Sequence, residues 1–234
     1  MKSVLHLADT RGHFQYSWLN TYHTFSFADY HNPERVHFGT LRVLNDDVIE
    51  AGQGFGTHPH ENMEIVTIPL RGDLEHKDST GNTGVIKTND VQVMSAGTGI
   101  YHSEYNPNPD RDVNLLQIWV FPKERNIKPR YAQAAFSRDN RLNKFQVIVS
   151  PDKEGLWINQ DAWFSLARID KGESLPYKLH REDNGIYLFV IEGKAVTEYQ
   201  HLNRRDGYGL WELDHTNIKA EDDLEILVIE VPMN

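Results

Sequence analysis

Glu64-Ile-Val-Thr-Ile-Pro-Leu-Arg-Gly72 and Gly185-Ile-Tyr-Leu-Phe-Val-Ile-Glu-Gly193 are two apolar runs of equal length, each closed by a glycine. Runs this short, rich in β-branched and aromatic residues and bounded by turn formers, read as strands. The same pattern recurs at Leu41-Arg-Val-Leu44, Val91 to Met94, Leu115 to Phe121, Phe145 to Val149 and Leu224 to Val231, with Gly, Asn, Asp and Pro between. An all-β, antiparallel protein with little helix is expected. No segment holds helical periodicity over three turns, and Arg130 to Phe136 is the best candidate for a helical turn. The likeness of the two quoted runs is a weak internal repeat, which predicts two domains of one design. Pro122, Lys123, Glu124, Arg125, Asn126, Lys128 and Pro129 crowd together as a linker, dividing the chain into 1–124 and 125–234.

The composition, 39% hydrophobic and 25% charged, belongs to a folded protein. A net charge of -10 is repelled by phosphate backbones and anionic lipid, so neither nucleic acid nor a membrane surface is an expected partner. The densest basic pair, Arg204-Arg205, runs straight into Asp206 and is read as a solvated turn. The chain has no cysteine, so any metal must sit on nitrogen and oxygen. No stretch approaches the roughly eighteen apolar residues of a membrane span, and Met1 to Phe14 lacks the apolar run of a signal peptide. A soluble, cytoplasmic protein is expected.

Thr57-His58-Pro59-His60 places two imidazoles two residues apart, on one face of an extended strand. Pro59 gives up a ladder hydrogen bond, which predicts a strand start or a sheet edge. Alone, such a pair also fits a solvent-facing loop. Further on, Ser95-Ala-Gly-Thr-Gly99 makes a turn into Ile100-Tyr-His102-Ser-Glu104-Tyr-Asn106, where His102 and Glu104 again share a face. Two adjoining strands of this kind would offer three imidazoles and a carboxylate, a set suited to divalent iron, manganese, nickel, copper or zinc. Placing Gly72 on Gly193 sets Leu179 and Arg181 opposite His58 and His60. Placing Asn89-Asp90 on Arg205-Asp206 sets Ile218 and Ala220 opposite His102 and Glu104, so the second copy is expected to lack a metal site.

Gly52-Gln-Gly54-Phe-Gly56 has no following helix to receive a phosphate and is read as a turn. His76 is expected near Asp78 as a hydrogen-bonded histidine supporting the fold. His6, His13, His23, His31, His37, His201 and His215 follow no ligand spacing. Ser103 stands beside His102, but neighbours on a strand point to opposite faces, so no serine triad forms.

Gly52, His58, His60, Glu64 and Gly72 resemble the first motif of the cupin superfamily, and Gly99, His102 and Asn106 the second. His58-Pro-His60, Met63-Glu64-Ile, His76-Lys-Asp78-Ser79, Met94-Ser-Ala-Gly-Thr-Gly-Ile100 and His102-Ser-Glu104-Tyr-Asn106 are similar to the bacterial pirins. So are Trp18, His23-Thr-Phe-Ser-Phe27 and Leu41-Arg-Val-Leu-Asn-Asp46 upstream, so that the resemblance covers the first 120 residues and continues in outline beyond them. It implies a bicupin: two packed antiparallel β-barrel (jelly-roll) domains with a single metal ion, usually iron(II), in the first. Zinc, nickel, manganese or copper are alternatives for the same donors. By matching position the implied ligands are His58, His60, His102 and Glu104. Classical cupins use a glutamate placed as Glu64 is, and only the pirin-like context selects Glu104. The resemblance further implies a quercetin 2,3-dioxygenase that opens the ring of quercetin or a similar flavonol with dioxygen, releasing carbon monoxide, with Glu104 also serving as general base. A few of the aromatics Trp18, Phe25, Phe27, Tyr30, Tyr101, Tyr105 and Trp119 at the barrel mouth would suit such a substrate. The alternative it allows is a metal-binding regulatory module that engages a protein partner.

Overall fold

A computed structural model describes residues 1–152 and 154–233. Its strands form two sandwiches of one pattern, each a seven-stranded sheet facing a four-stranded one. Across the first large sheet run Arg130–Ala135, Asp90–Ser95, Glu64–Arg71, Val113–Val120, Leu41–Ile49, Leu19–His23 and Gly12–Gln15, in that order. Facing it are Gly54–His60, Ile100–Tyr105, Asp73–Asp78 and Thr83–Lys87. The second large sheet runs Lys2–His6, Gly207–Trp211, Asn184–Glu192, Leu224–Pro232, Trp163–Ile169, Gln146–Ser150 and Leu156–Trp157, facing Ser174–Lys178, His215–Ala220, Ala195–Val196 and His201–Leu202. Helix among the described residues is limited to the 3-10 turns Ala8–Thr10 and Arg138–Arg141. This is the all-β bicupin architecture that the strand pattern and the motifs predicted.

The large sheets read as almost unbroken apolar runs because both of their faces are covered. Strand alternation sends Val66, Ile68, Leu116 and Ile118 of the first sheet against Phe164, Leu166, Phe189, Leu227 and Ile229 of the second, in one shared core. Their neighbours Ile186, Leu188, Val190, Ile226 and Val228 turn inward to fill the second barrel. The first barrel is filled differently. Register sets Gln92 beside Thr67, Thr67 beside Gln117, Gln117 beside Asn45 and Asn45 beside His23, a polar row across the inner face of the sheet.

Strands cross between the two sandwiches. Lys2–His6 pairs with Gly207–Trp211 in the second sheet, and Arg130–Ala135 with Asp90–Ser95 in the first. The expected helical turn at Arg130 to Phe136 is therefore wrong. Seven residues are too few to sustain a helix on propensity alone, and the open ladder of Asp90–Ser95 takes them as an edge strand. Between Pro122 and Pro129 the chain is irregular, as its composition indicated.

The solvated turn at Arg204-Arg205 also needs correcting. Arg204 is exposed and pairs with Glu192, but Arg205 is 5% exposed and lies 3.1 Å from Asp46 of the first sandwich. Its guanidinium also donates to Ile191 O and Asn114 Oδ1. A left-handed backbone at Arg205, φ 68°, turns the side chain inward between the two halves.

Candidate metal centre

Gly54–His60 is the edge strand of the small sheet in the first sandwich and pairs only with Ile100–Tyr105. Pro59 therefore leaves no ladder bond unmade on its outer side. The turn read at Gly52 to Gly56 is confined to Gly52, because Gly54 and Gly56 already belong to the strand. Gly54 is required by close approach: a Cβ there would lie 2.2 Å from Glu104 O and 2.5 Å from Tyr105 Cα.

Register pairs His102 with His58 and Ile100 with His60. A bulge follows, three steps from His58 to Phe55 against two from His102 to Glu104, and re-aims the side chains at this point of the pair. The three imidazoles converge. Ring centroids of His58, His60 and His102 lie 4.4 to 4.8 Å apart, with one nitrogen from each inside a span of 4.8 Å. His58 Nδ1 donates to Gly56 O at 2.8 Å, which leaves the Nε2 lone pair to the cluster. His102 Nε2 is buried with no hydrogen-bond partner among the described residues. Burial holds His60 down to about 4 and His102 down to about 2, the neighbouring imidazoles adding to the effect, so both are neutral at pH 7. Neutral nitrogens facing one another with a lone pair unspent fit a cation and little else.

Glu104 belongs to an overlapping cluster with His102 and His76, again within 4.8 Å. Its Oε2 accepts from Gln117 Nε2 at 2.9 Å, while Oε1 is buried and unpartnered. Burial pushes this carboxyl up to about 7. With His58 and His60 it lines a cavity of 460 Å³, walled by Trp18, Phe27, Phe55 and Trp119. The residues thus fit one divalent ion, and the donor set of three nitrogens and an oxygen agrees with the absence of thiolates. His76 stands where expected, its Nε2 3.1 Å from Asp78 Oδ2.

Sequence reasoning missed Asp47, which lines the same cavity, is held by Thr21 and is pushed up to about 7 by burial. The signal was present in Leu41–Ile49, where alternation sends Asn45 and Asp47 inward.

Glu64 lies elsewhere. It shares the strand parity of Val66 and Ile68 and so faces the core between the two large sheets, where Oε2 accepts from Ser95 Oγ and from the Asn159 backbone N–H of the second half. Burial pushes it up to about 7, above its unfolded value of 4.5. A raised folded pKa gives stability that is complete below pH 4.5 and is lost as pH rises through 7. Glu64→Gln should therefore stabilise the protein at pH 8 by about 3 kcal/mol, since one pKa unit is about 1.4 kcal/mol, and the gain should fade towards pH 5. Thermal melts of both proteins across that range measure it.

The first 120 residues and the last third of the chain each match a described family. Residues 5–120 match the Pirin model, and residues 147–231 match the model described as Quercetinase C-terminal cupin domain. The chain is 41% identical over 230 residues to the quercetin 2,3-dioxygenase of Escherichia coli K12, covering 97% of this chain and 98% of that one. It is 37% identical to a pirin-like protein of Caulobacter vibrioides, with 95% and 96% covered. The bacterial pirin YhhW of Escherichia coli, solved in complex with nickel(II), superposes with a TM-score of 0.94 at 40% identity over the whole of both chains. On these matches the chain belongs to the pirin family.

Proposed function

We propose that this pirin is a metal-dependent dioxygenase that opens the ring of quercetin or a similar flavonol and releases carbon monoxide. The observation that carries the reading is the joining of an unspent imidazole cluster to an aromatic-walled cavity of 460 Å³, a size and lining typical of small-molecule sites. His58, His60, His102 and Glu104 would hold one divalent ion, for which iron(II) is proposed. Bound there, the ion supplies Lewis acidity towards a flavonol hydroxyl and access to dioxygen chemistry. The chain's own residues do the rest. Trp18, Phe27, Phe55 and Trp119 clamp a flat ring and exclude water. Gln117 fixes Glu104 through Oε2, so that Oε1 is the oxygen that receives the hydroxyl proton. The proposed division is a site-bearing domain of residues 1–124 and a ligand-free domain of 125–234, which exchange the edge strands Lys2–His6 and Arg130–Ala135, in a protein acting in the cytoplasm.

Aerobic incubation of protein loaded with iron(II) or nickel(II) with quercetin should bleach the flavonol absorbance and evolve carbon monoxide. Absence of bleaching with iron, nickel, manganese, copper or zinc ends this reading.

Metal binding should itself depend on pH in a defined direction. His60 and His102 are already neutral, whereas Glu104 carries a proton below about 7 that an ion must displace. Apparent nickel affinity should fall by about tenfold per pH unit from this group as pH drops below 7, and that component should vanish in Glu104→Gln. Competition titrations with a chelator at pH 6 to 8 check it.

A further inference from the structure

His76 belongs by distance to a metal-ligand cluster, yet the hydrogen bonds around it describe a different task. It is fully buried on Asp73–Asp78, directly across from Glu104 in the register. Its Nε2 lies 3.1 Å from Asp78 Oδ2, and its Nδ1 lies 3.4 Å from His102 Nδ1. Asp78 accepts from Thr80 N, Thr80 Oγ1 and Asn82 N through Oδ1 and from Asn82 Nδ2 through Oδ2. A carboxyl receiving that many donors is an anion and has no proton to give.

The proton positions follow in sequence. Asp78 can only accept, so His76 carries its hydrogen on Nε2. Neutral His76 then has a lone pair on Nδ1, so His102 donates its Nδ1–H across the 3.4 Å contact. His102 is left with a bare Nε2, which is the atom found buried without a partner. Tyr131 stacks on the His76 ring, centroids 4.7 Å apart and planes 29° from parallel, and keeps it from rotating out of this chain.

We propose that His76 is a positioning residue: as the middle link of Asp78–His76–His102 it fixes His102 in the tautomer whose Nε2 faces the metal, and does not bind the metal itself. Ligating histidines are commonly oriented by a carboxylate on their other nitrogen. Here the carboxylate acts through a second imidazole. The inference rests on His102 being a ligand.

Nickel(II) is the probe. Affinity is measured by chelator competition at one pH for the full-length wild type, His76→Leu and His76→Asn, with circular dichroism as the fold check. His76→Leu should weaken nickel binding by about 10- to 100-fold. His76→Asn, whose Oδ1 replaces the Nδ1 acceptor, should recover most of that loss. Equal affinity of His76→Leu and wild type, or no recovery in His76→Asn, overturns the proposal. A readout without any substitution stands beside it: in metal-free wild type labelled with ¹⁵N-histidine, the His102 hydrogen should appear on Nδ1, and finding it on Nε2 overturns the proposal. If the wild type binds no nickel, the metal-site reading falls as well, a result distinct from wild-type binding that survives His76→Leu.

Discussion

Glu104→Gln is expected to weaken divalent-metal binding by about 100-fold or more, at or beyond the upper end of what losing a supporting residue costs. Glu64→Gln is expected to leave that affinity unchanged. The pirin-like context selected Glu104 from the sequence, and the strand faces separate the two glutamates independently. Each has a buried Oε1 without a partner, but Glu104 faces the cavity with His58 and His60, whereas Glu64 is turned towards Ser95 and Asn159, outside the barrel interior. Glutamine keeps the shape and the Gln117 contact region while removing the charge, so the comparison isolates the carboxylate. Parallel nickel titrations of the two variants decide it: a loss in Glu64→Gln with none in Glu104→Gln would exchange their roles.

The second large effect concerns stability. Asp46 is 7% exposed, lies 3.1 Å from Arg205 Nε, and accepts from Arg11 Nη1 at 3.5 Å and Asn114 Nδ2 at 2.9 Å. Arg11 and Arg205 are themselves buried, and desolvation holds both below the ordinary arginine value. Asp46→Ala removes the one acceptor shared by two buried cations that come from opposite ends of the chain. Breaking a buried ion pair from one side costs about 3–5 kcal/mol. For a chain of this size that corresponds to a fall in Tm of about 6–20 °C. Differential scanning calorimetry reads it directly. Asp46→Asn, which keeps the shape and an acceptor but not the charge, should lose nearly as much, and a much smaller loss in it would assign the effect to packing and hydrogen bonding instead of charge.

What could be read beforehand followed the range of the interaction. The convergence of His58, His60 and His102 was legible from i, i+2 spacing, a local property of strands, taken together with the resemblance to the pirins. The all-β class was legible for the same reason. Arg205 was not, because its partner Asp46 stands 159 positions earlier and nothing near Arg204-Arg205-Asp206 announces burial. Arg130–Ala135 failed similarly: Tyr131 and Gln133 belong to one face only once Asp90–Ser95 lies beside them. Glu64 was ambiguous because the run Glu64–Arg71 is apolar on both sides, buried between two cores, so alternation left no mark on it.

The pairing of Lys2–His6 with Gly207–Trp211 also imposes an order of events on the ribosome. The first sandwich has all its strands once residue 135 has emerged, yet the five residues at the start of the chain have no partner until residue 211 follows. At 5–20 residues per second the 76-residue gap lasts about 4–15 s. During that time an unpaired strand hangs beside a nearly finished sheet whose outer face, Val66, Ile68, Leu116 and Ile118, is still uncovered. That face stays open past residue 211 as well, and its exposure ends only when Leu224–Pro232, which carries Leu227 and Ile229, enters the second sheet.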